Sequence, residues 1–452
     1  MYARPYASGC YEKNRTYSDR TKNKLNRIFW IYVYQMIIFP VIFFVAHLIG
    51  LFSKKVRDVL REKYSVYKKL NYWLMKDYDK DQKNILFHAA SLGEFEHIRP
   101  VLFQLKKHFN TNNIITFFSP SGFQNVKTGN GVDYFCYMPF DTISQWKKIY
   151  QIVNPVLIIV AKHDVWPAQI WTAKDLKIPV YLINASLSEK STRSRFPIGR
   201  ILSVVYRDFT EIITISEQDK QKFASSFTGL KLLVAGDTKY DQVLLRKEKA
   251  EQNPPLNPGW CKGSKIFVGG SIWPEDETHL LPALRNLLEE QSNLKIILVP
   301  HEPTKSAVAR LQKYFSIYNP DLFSALKNKH PESRVLVIDH IGNLAALYYF
   351  ANIAYVGGSF KQGIHNTMEP AVYGIPVLYG PVHNNSYEAI KLLQAGGSLL
   401  VRNQEDIRNS LYQLIVDDQM AALIGKKAQK YALGNTGATE KLINVWKDII
   451  KG

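Results

Sequence analysis

The chain has 452 residues, enough for about two to three domains that each bury a core of their own. Hydrophobic residues make up 46% and charged residues 21%, which excludes an intrinsically disordered chain. Lys and Arg total 58 against 39 Asp and Glu, and the resulting +19 favours an anionic partner, whether membrane surface, nucleic acid or phosphorylated substrate.

In chain order, residues 1–27 form a basic N-terminal segment. The run "IFWIYVYQMIIFPVIFFVAHLIGLF", residues 28–52, is interrupted only by Gln35, Pro40, His47 and Gly50. As a helix it is long enough to cross ~30 Å of hydrocarbon. Trp30, Tyr32 and Tyr34 suit an interfacial aromatic belt, and no comparable apolar run recurs, so 28–52 is expected to be a membrane anchor. Residues 53–83 contain "KKVRDVLREKYSVYKKLNYWLMK", whose Val56, Leu60, Tyr64 and Tyr67 fall on one helical stripe among basic residues. That spacing predicts an interfacial helix on an anionic membrane surface. Because the α/β pattern begins only near residue 84, removal of residues 1–52 is expected to leave the later domains folded.

From residue 84 short apolar runs alternate with amphipathic stretches. "NILFHA", "NNIITFFS", "PVLIIVA", "IPVYLINA", "EIITIS" and "LKLLVAG" predict parallel strands of one domain, 84–245. Residues 246–262 are charged, then proline-rich, and predict a linker. The pattern restarts with "KIFVGGS", "LKIILVP", "VLVID", "IAYVGGS", "IPVLYGP" and "GSLLV", giving a second domain, 263–435, and a terminal helix, 436–452.

Nucleotide and hydrolase fingerprints (Walker, G-x-G-x-x-G with a ribose-binding acid, G-x-S-x-G) do not occur in either half. Cys10, Cys136 and Cys261 are too scattered for a disulfide framework or a zinc site. What recurs is a strand, a glycine turn and a helix start, at "VGGSIWPEDE" (268–277) and "VGGSFKQGIHNTMEP" (356–370). Such turns let a ligand approach the backbone and point a helix N-terminus at a phosphate, as expected at strand C-termini in open α/β sheets. Asn366 and Thr367 are expected to start a helix with Glu369 in its first turn. There the carboxylate either accepts ribose hydroxyls or completes a capping box with Asn366.

Seven ordered motifs, "HAASLGEFE" (88–96), "HDVWP" (163–167), "NASLSEKS" (184–191), "AGDTKYD" (235–241), "GGSIWPEDE" (269–277), "LVPHEP" (298–303) and "HNTMEPAVYGIPVLYGP" (365–381), make the chain resemble the 3-deoxy-D-manno-octulosonic acid (Kdo) transferases of lipopolysaccharide synthesis. The resemblance implies a GT-B glycosyltransferase: two Rossmann-like domains facing a cleft, acceptor-binding (84–245) and CMP-sugar-binding (263–435), behind an N-terminal anchor. It implies transfer of Kdo from CMP-Kdo to the lipid A precursor lipid IVA at the inner membrane, with the catalytic domains on the cytoplasmic side. Glu94 matches the family's proton acceptor, and Lys239 a residue assigned to transition-state stabilisation. The donor site falls on Pro300, His301, Ile341, Gly342, Asn343, Asn366, Thr367, Met368 and Glu369.

Elementary chemistry agrees. Transfer to a sugar hydroxyl needs a base, which Glu94 can be at the end of "NILFHA". The departing CMP develops negative charge that a lysine or a helix N-terminus stabilises, so neither a metal nor another cofactor is expected. The chain departs from the family at His301, where arginine is common, at Asn343, where an acid is common, and at Ile364, where glycine is usual. Lys162 replaces an acid and leaves Asp164 as the nearer acidic candidate for a stabilising role. Two other readings stay open: a GT-B enzyme using a UDP-sugar and a lipid-linked acceptor, and a non-catalytic membrane-bound scaffold. Nucleic acid is not an expected partner, because the basic residues are dispersed and no binding motif occurs.

Overall fold

The computed structural model describes residues 24–76, 78–188, 193, 195, 197–326 and 331–452. Most of the basic segment 1–27, and the end of "NASLSEKS" from Glu189 to Ser191, lie outside the described residues. Contacts divide the chain into two compact units, one running up to Thr238 and including Gly437–Gly452, the other Lys239–Thr436.

In the N-terminal unit seven parallel strands are ordered β3-β2-β1-β4-β5-β6-β7. They are β1 (Asn84–Ala89), β2 (Asn112–Phe117), β3 (Tyr134–Tyr137), β4 (Leu157–Ala161), β5 (Val180–Ala185), β6 (Glu211–Thr214) and β7 (Leu232–Val234). β1, β2, β4 and β5 are buried along their whole length, as strands covered by helices on both faces must be. The terminal helix Ala438–Lys451 returns to this unit and sinks Leu442, Trp446 and Ile450 into its core.

The C-terminal unit repeats the design with β8 (Lys265–Ile272), β9 (Leu294–Pro300), β10 (Asp321–Leu322), β11 (Val335–Val337), β12 (Ile353–Val356), β13 (Val377–Tyr379) and β14 (Ser398–Leu400). Their order is β10-β11-β9-β8-β12-β13-β14. Each sheet changes direction of growth once, between β1 and β4 and between β8 and β12. These are the places where open parallel sheets leave a crevice at the strand C-termini.

Three expectations change. Residues 246–252, expected in a linker, continue the helix Thr238–Gln252, which stops where Pro254 and Pro255 follow. The helix Lys54–Lys76 does not turn the stripe Val56, Leu60, Tyr64, Tyr67 to one environment: Tyr64 is exposed, while Lys63, Val66, Leu70 and Trp73 are the buried face, against the sheet edge at β3. Helical spacing made both stripes possible, and packing against the sheet chose between them.

The third change concerns the apolar run. Residues Lys24–Phe52 form one helix, long and apolar enough to cross a membrane and mostly exposed. One side is nevertheless bound to the N-terminal unit. Tyr34 Oη donates to Asp141 at 2.7 Å, its ring meets Trp171 edge-on, and Phe43 packs on Phe140. Arg27 pairs with Asp208 at 2.6 Å and Asp175 at 2.8 Å. Removal of residues 1–52 would therefore uncover a core surface, contrary to the expectation that the domains stand without it.

Candidate functional site

In the N-terminal unit the motif residues gather where β1 and β4 end. Ser91 is extended, and the helix Leu92–Phe109 starts directly after it with Glu94 in its first turn. Glu94 Oε2 reaches back to accept from the Ala90 amide at 2.6 Å. Burial raises the pKa of this carboxyl above the ordinary range, the Ala90 N–H opposes that, and the charge of Asp164 adds to it. A carboxyl so placed is a better proton acceptor than a solvated one.

Asp164 follows β4. Its Oδ2 lies 2.8 Å from Nε2 of His88, a wholly buried residue of β1, whose Nδ1 lies 2.9 Å from Thr116 Oγ1 on β2. Burial pushes the Asp164 pKa up, but the hydrogen bond and charge of His88 outweigh it, and the net shift is downward. Beside it, burial together with Arg193 and Lys162 lowers His163 to about 4, so this ring is neutral at pH 7. Lys63 enters from the helix Lys54–Lys76, donating to Met138 O at 3.0 Å, and burial brings it down to about 8 despite Asp141 and Asp164. Around the same strand ends, Asn184 exchanges two hydrogen bonds with Thr238, Thr238 Oγ1 donates to His97 O, and His97 pairs with Asp237 at 3.0 Å. The motifs containing Asn184 and Asp237 are thus hydrogen-bonded to each other and to His97, the residue directly after the motif of Glu94.

In the C-terminal unit the candidates follow the central strands. Pro300 ends β9 and His301 follows, its N–H on Ile272 O. Trp273 Nε1 donates to His365 Nε2 at 2.9 Å with the two rings coplanar, and the His301 ring stacks over both at 4.3 and 4.5 Å. Ile341 is 82% exposed after β11, Gly342 has φ +115°, and Asn343 bonds the His340 ring. After β12, Asn366 Oδ1 accepts from the Met368 amide, Met368 and Thr367 are buried, and Glu369 Oε1 accepts from Arg246 Nη1 at 2.6 Å. Lys239 Nζ pairs with Glu388 at 3.0 Å.

The glycine turns act differently from their expected role. A Cβ on Gly357 would meet Ser271 O at 2.2 Å, and one on Gly270 would meet the Tyr348 hydroxyl at 2.1 Å, so these glycines admit protein, not ligand. At the start of the helix Pro274–Glu290, Asp276 accepts from the Trp273 and Gly358 amides and from Tyr355 Oη, filling the anion position with the chain's own carboxylate. After the second turn the helix Met368–Ala371 is one turn long and starts ten residues beyond Gly358. The capping box is absent too: Asn366 caps alone, and Glu369 turns to Arg246.

Residues 59–242 match the family model described as 3-Deoxy-D-manno-octulosonic-acid transferase (kdotransferase), a span that includes Glu94, Asp164 and Lys239. A 3-deoxy-D-manno-octulosonic acid transferase of Haemophilus influenzae is 28% identical over 431 residues, covering 91% of this chain and 96% of the relative. The chain is similar to Kdo transferases along most of its length. A second such transferase, from Aquifex aeolicus, is 28% identical over 355 residues, covering 76% of this chain and 90% of its own. Among solved structures, UDP-GlcNAc 2-epimerase from Neisseria meningitidis bound to UDP-GlcNAc aligns over 81% of this chain and 100% of its own with a TM-score of 0.57 at 19% identity, which shows a shared GT-B type fold.

Within this site the sequence pointed to the strand ends but missed the partners. His88 stands at the head of the motif that contains Glu94, yet nothing in one strand tells that it will face Asp164 of another. Asp276, Arg246, Glu388 and Lys63 are likewise tertiary partners; only Asp276, directly after a recurring glycine turn, carried a local signal. Among the described residues no group of three His, Cys, Asp or Glu is placed to hold a metal ion.

Proposed function

We propose that this glycosyltransferase moves Kdo from CMP-Kdo to lipid IVA, working at the inner membrane with its α/β units on the cytoplasmic side. The observation that carries the reading is Glu94: in a chain aligned with Kdo transferases over nearly its whole length, the family's proton-acceptor position holds a half-buried carboxyl with a raised pKa at the β1–β4 crevice. Glu94 takes the proton of the acceptor hydroxyl as the new glycosidic bond forms. Lys239, exchanging its Glu388 partner for the departing phosphate, stabilises the charge developing on CMP. Asp164 supports the site through its charge.

Donor binding falls to Pro300, His301, Ile341, Gly342, Asn343, Asn366, Thr367, Met368 and Glu369. His301, Ile341, Gly342, Asn343, Asn366 and Thr367 lie in the segments after β9, β11 and β12, and of these strands β9 and β12 flank the crevice strand β8. Glu369 accepts the ribose hydroxyls, and His301, fixed over Trp273 and His365, takes the place of the arginine common in the family. The anionic donor, the bisphosphorylated acceptor and an anionic membrane surface are the partners that the net positive charge favours.

Incubation of the purified protein with CMP-Kdo and lipid IVA, followed by mass spectrometry of the lipid, tests the reading. A mass gain of one or more Kdo residues is expected. Product formed only from a UDP-sugar, or no product and no CMP-Kdo binding, would replace it with the UDP-donor or the scaffold reading.

A further inference from the structure

Thr116 Oγ1 has one hydrogen and two acceptors within reach, Phe87 O at 3.0 Å and His88 Nδ1 at 2.9 Å; given to Phe87 O, that hydrogen leaves Nδ1 carrying its own and donating to Thr116. Nε2 and Asp164 Oδ2, 2.8 Å apart, then share one further proton, whichever atom holds it. In that arrangement the pair as a whole is neutral: an imidazolium beside a carboxylate, or an imidazole beside a carboxylic acid.

We propose that Thr116 gives its hydrogen to Phe87 O and that His88 is a positioning residue for the transfer: anchored on Thr116, it shares one proton with Asp164 at the crevice and so fixes the net charge that faces the Glu94 carboxyl. This rests on the reading of Glu94 as the base. Without that proton Asp164 would present an uncompensated negative charge to Glu94, and a nearby like charge raises a carboxyl pKa. The other charged or titratable groups facing this cluster are Lys162 and the neutral His163 from the loop after β4, and Lys63 from the helix Lys54–Lys76 with Asp141 beyond it. On Glu94's own helix, His97 is paired with Asp237 and Glu96 with Arg99.

The test is the pH profile of single-turnover Kdo transfer from CMP-Kdo to lipid IVA. His88→Gln retains a donor but no proton to share, so the acid limb is expected to move up by roughly 1 pH unit, with the rate recovering towards the parent value at higher pH. Thr116→Val, nearly isosteric, removes the acceptor of Nδ1–H and is expected to move the limb the same way by less. In the double variant His88→Gln/Asp164→Asn the pair is neutral again, and the limb is expected back near the parent position. Variants that lose rate equally at every pH, with the limb unmoved, would make His88 merely structural and overturn the proposal. If the parent transfers no Kdo at all, the functional reading fails instead. The charge coupling is then read by infrared titration of the Glu94 carboxyl band, assigned by its loss in Glu94→Gln: the same upward shift supports the proposal, and no shift overturns it.

Discussion

Glu94→Gln removes basicity while keeping an oxygen for the Ala90 amide, so the helix start should survive. Turnover is expected to fall by ~10²–10⁴-fold with CMP affinity and melting temperature nearly unchanged, measured in single turnovers at saturating acceptor. A folded variant transferring at the parent rate would remove Glu94 from the mechanism. Glu369→Ala is expected to weaken CMP binding by ~1.5–3 kcal/mol, seen by calorimetric titration. Because Asn366 caps the short helix alone, the melting temperature should move little; a lowered melting temperature with intact affinity would make Glu369 structural. His163 adds a pH dependence. Its folded pKa of about 4 lies below the ordinary 6.5, so between these values the unfolded chain binds the extra proton and stability falls as pH drops through that window. His163→Gln should flatten the melting temperature between pH 6.5 and 4, provided the neighbouring carboxylates titrate alike in both proteins.

At the scale of elements, the helix Lys24–Phe52 is the instructive case. Asp141, fully buried, accepts from Tyr34 Oη, Trp146 Nε1 and the Ala168 and Gln169 amides, tying the apolar helix to the start of the helix Pro167–Asp175. Tyr34→Phe keeps the ring against Trp171 but leaves Asp141 one donor short, an expected loss of ~1–3 kcal/mol in a denaturant titration. Deletion of residues 1–52 removes that donor, Arg27 from Asp208, and the cover of Phe140 and Trp171 together. The truncated chain is expected to melt lower or aggregate, and one that melts like the full chain would show the contacts to be dispensable. The edge strands make the same point. β3, which is YFCY, and β10, which is only DL, escape a reading of aliphatic runs. They exist as strands through pairing with β2 and β11.

For the whole molecule, two modes of membrane attachment can be separated. A basic protein held by charge alone leaves anionic vesicles at 1 M salt, where the Debye length is ~3 Å. Here the helix Lys24–Phe52 also leaves Phe44, Leu48, Leu51 and Phe52 exposed, an apolar surface that salt does not weaken. Co-sedimentation with anionic vesicles is expected to persist in 1 M salt, and a Phe44→Asp/Leu48→Asp double variant to sediment less while melting like the parent. Release of the parent by salt would assign attachment to the basic residues instead.

The sequence by itself determined the two α/β halves, the long apolar helix and the likeness to Kdo transferases, because strand composition, hydrophobic runs and ordered motifs are local properties of the chain. It also placed Glu94, Asp164 and Glu369 at strand ends, since each follows a recognisable apolar run. Only the tertiary structure decided which face of the helix Lys54–Lys76 is buried, that Gly270 and Gly357 accommodate neighbouring backbone and side chain, and that Asp276 fills an anion position expected for a ligand. It alone joined His88 to Asp164 and Glu369 to Arg246. These pairings span 76 and 123 residues of sequence, and the order in which strands assemble into a sheet decides them.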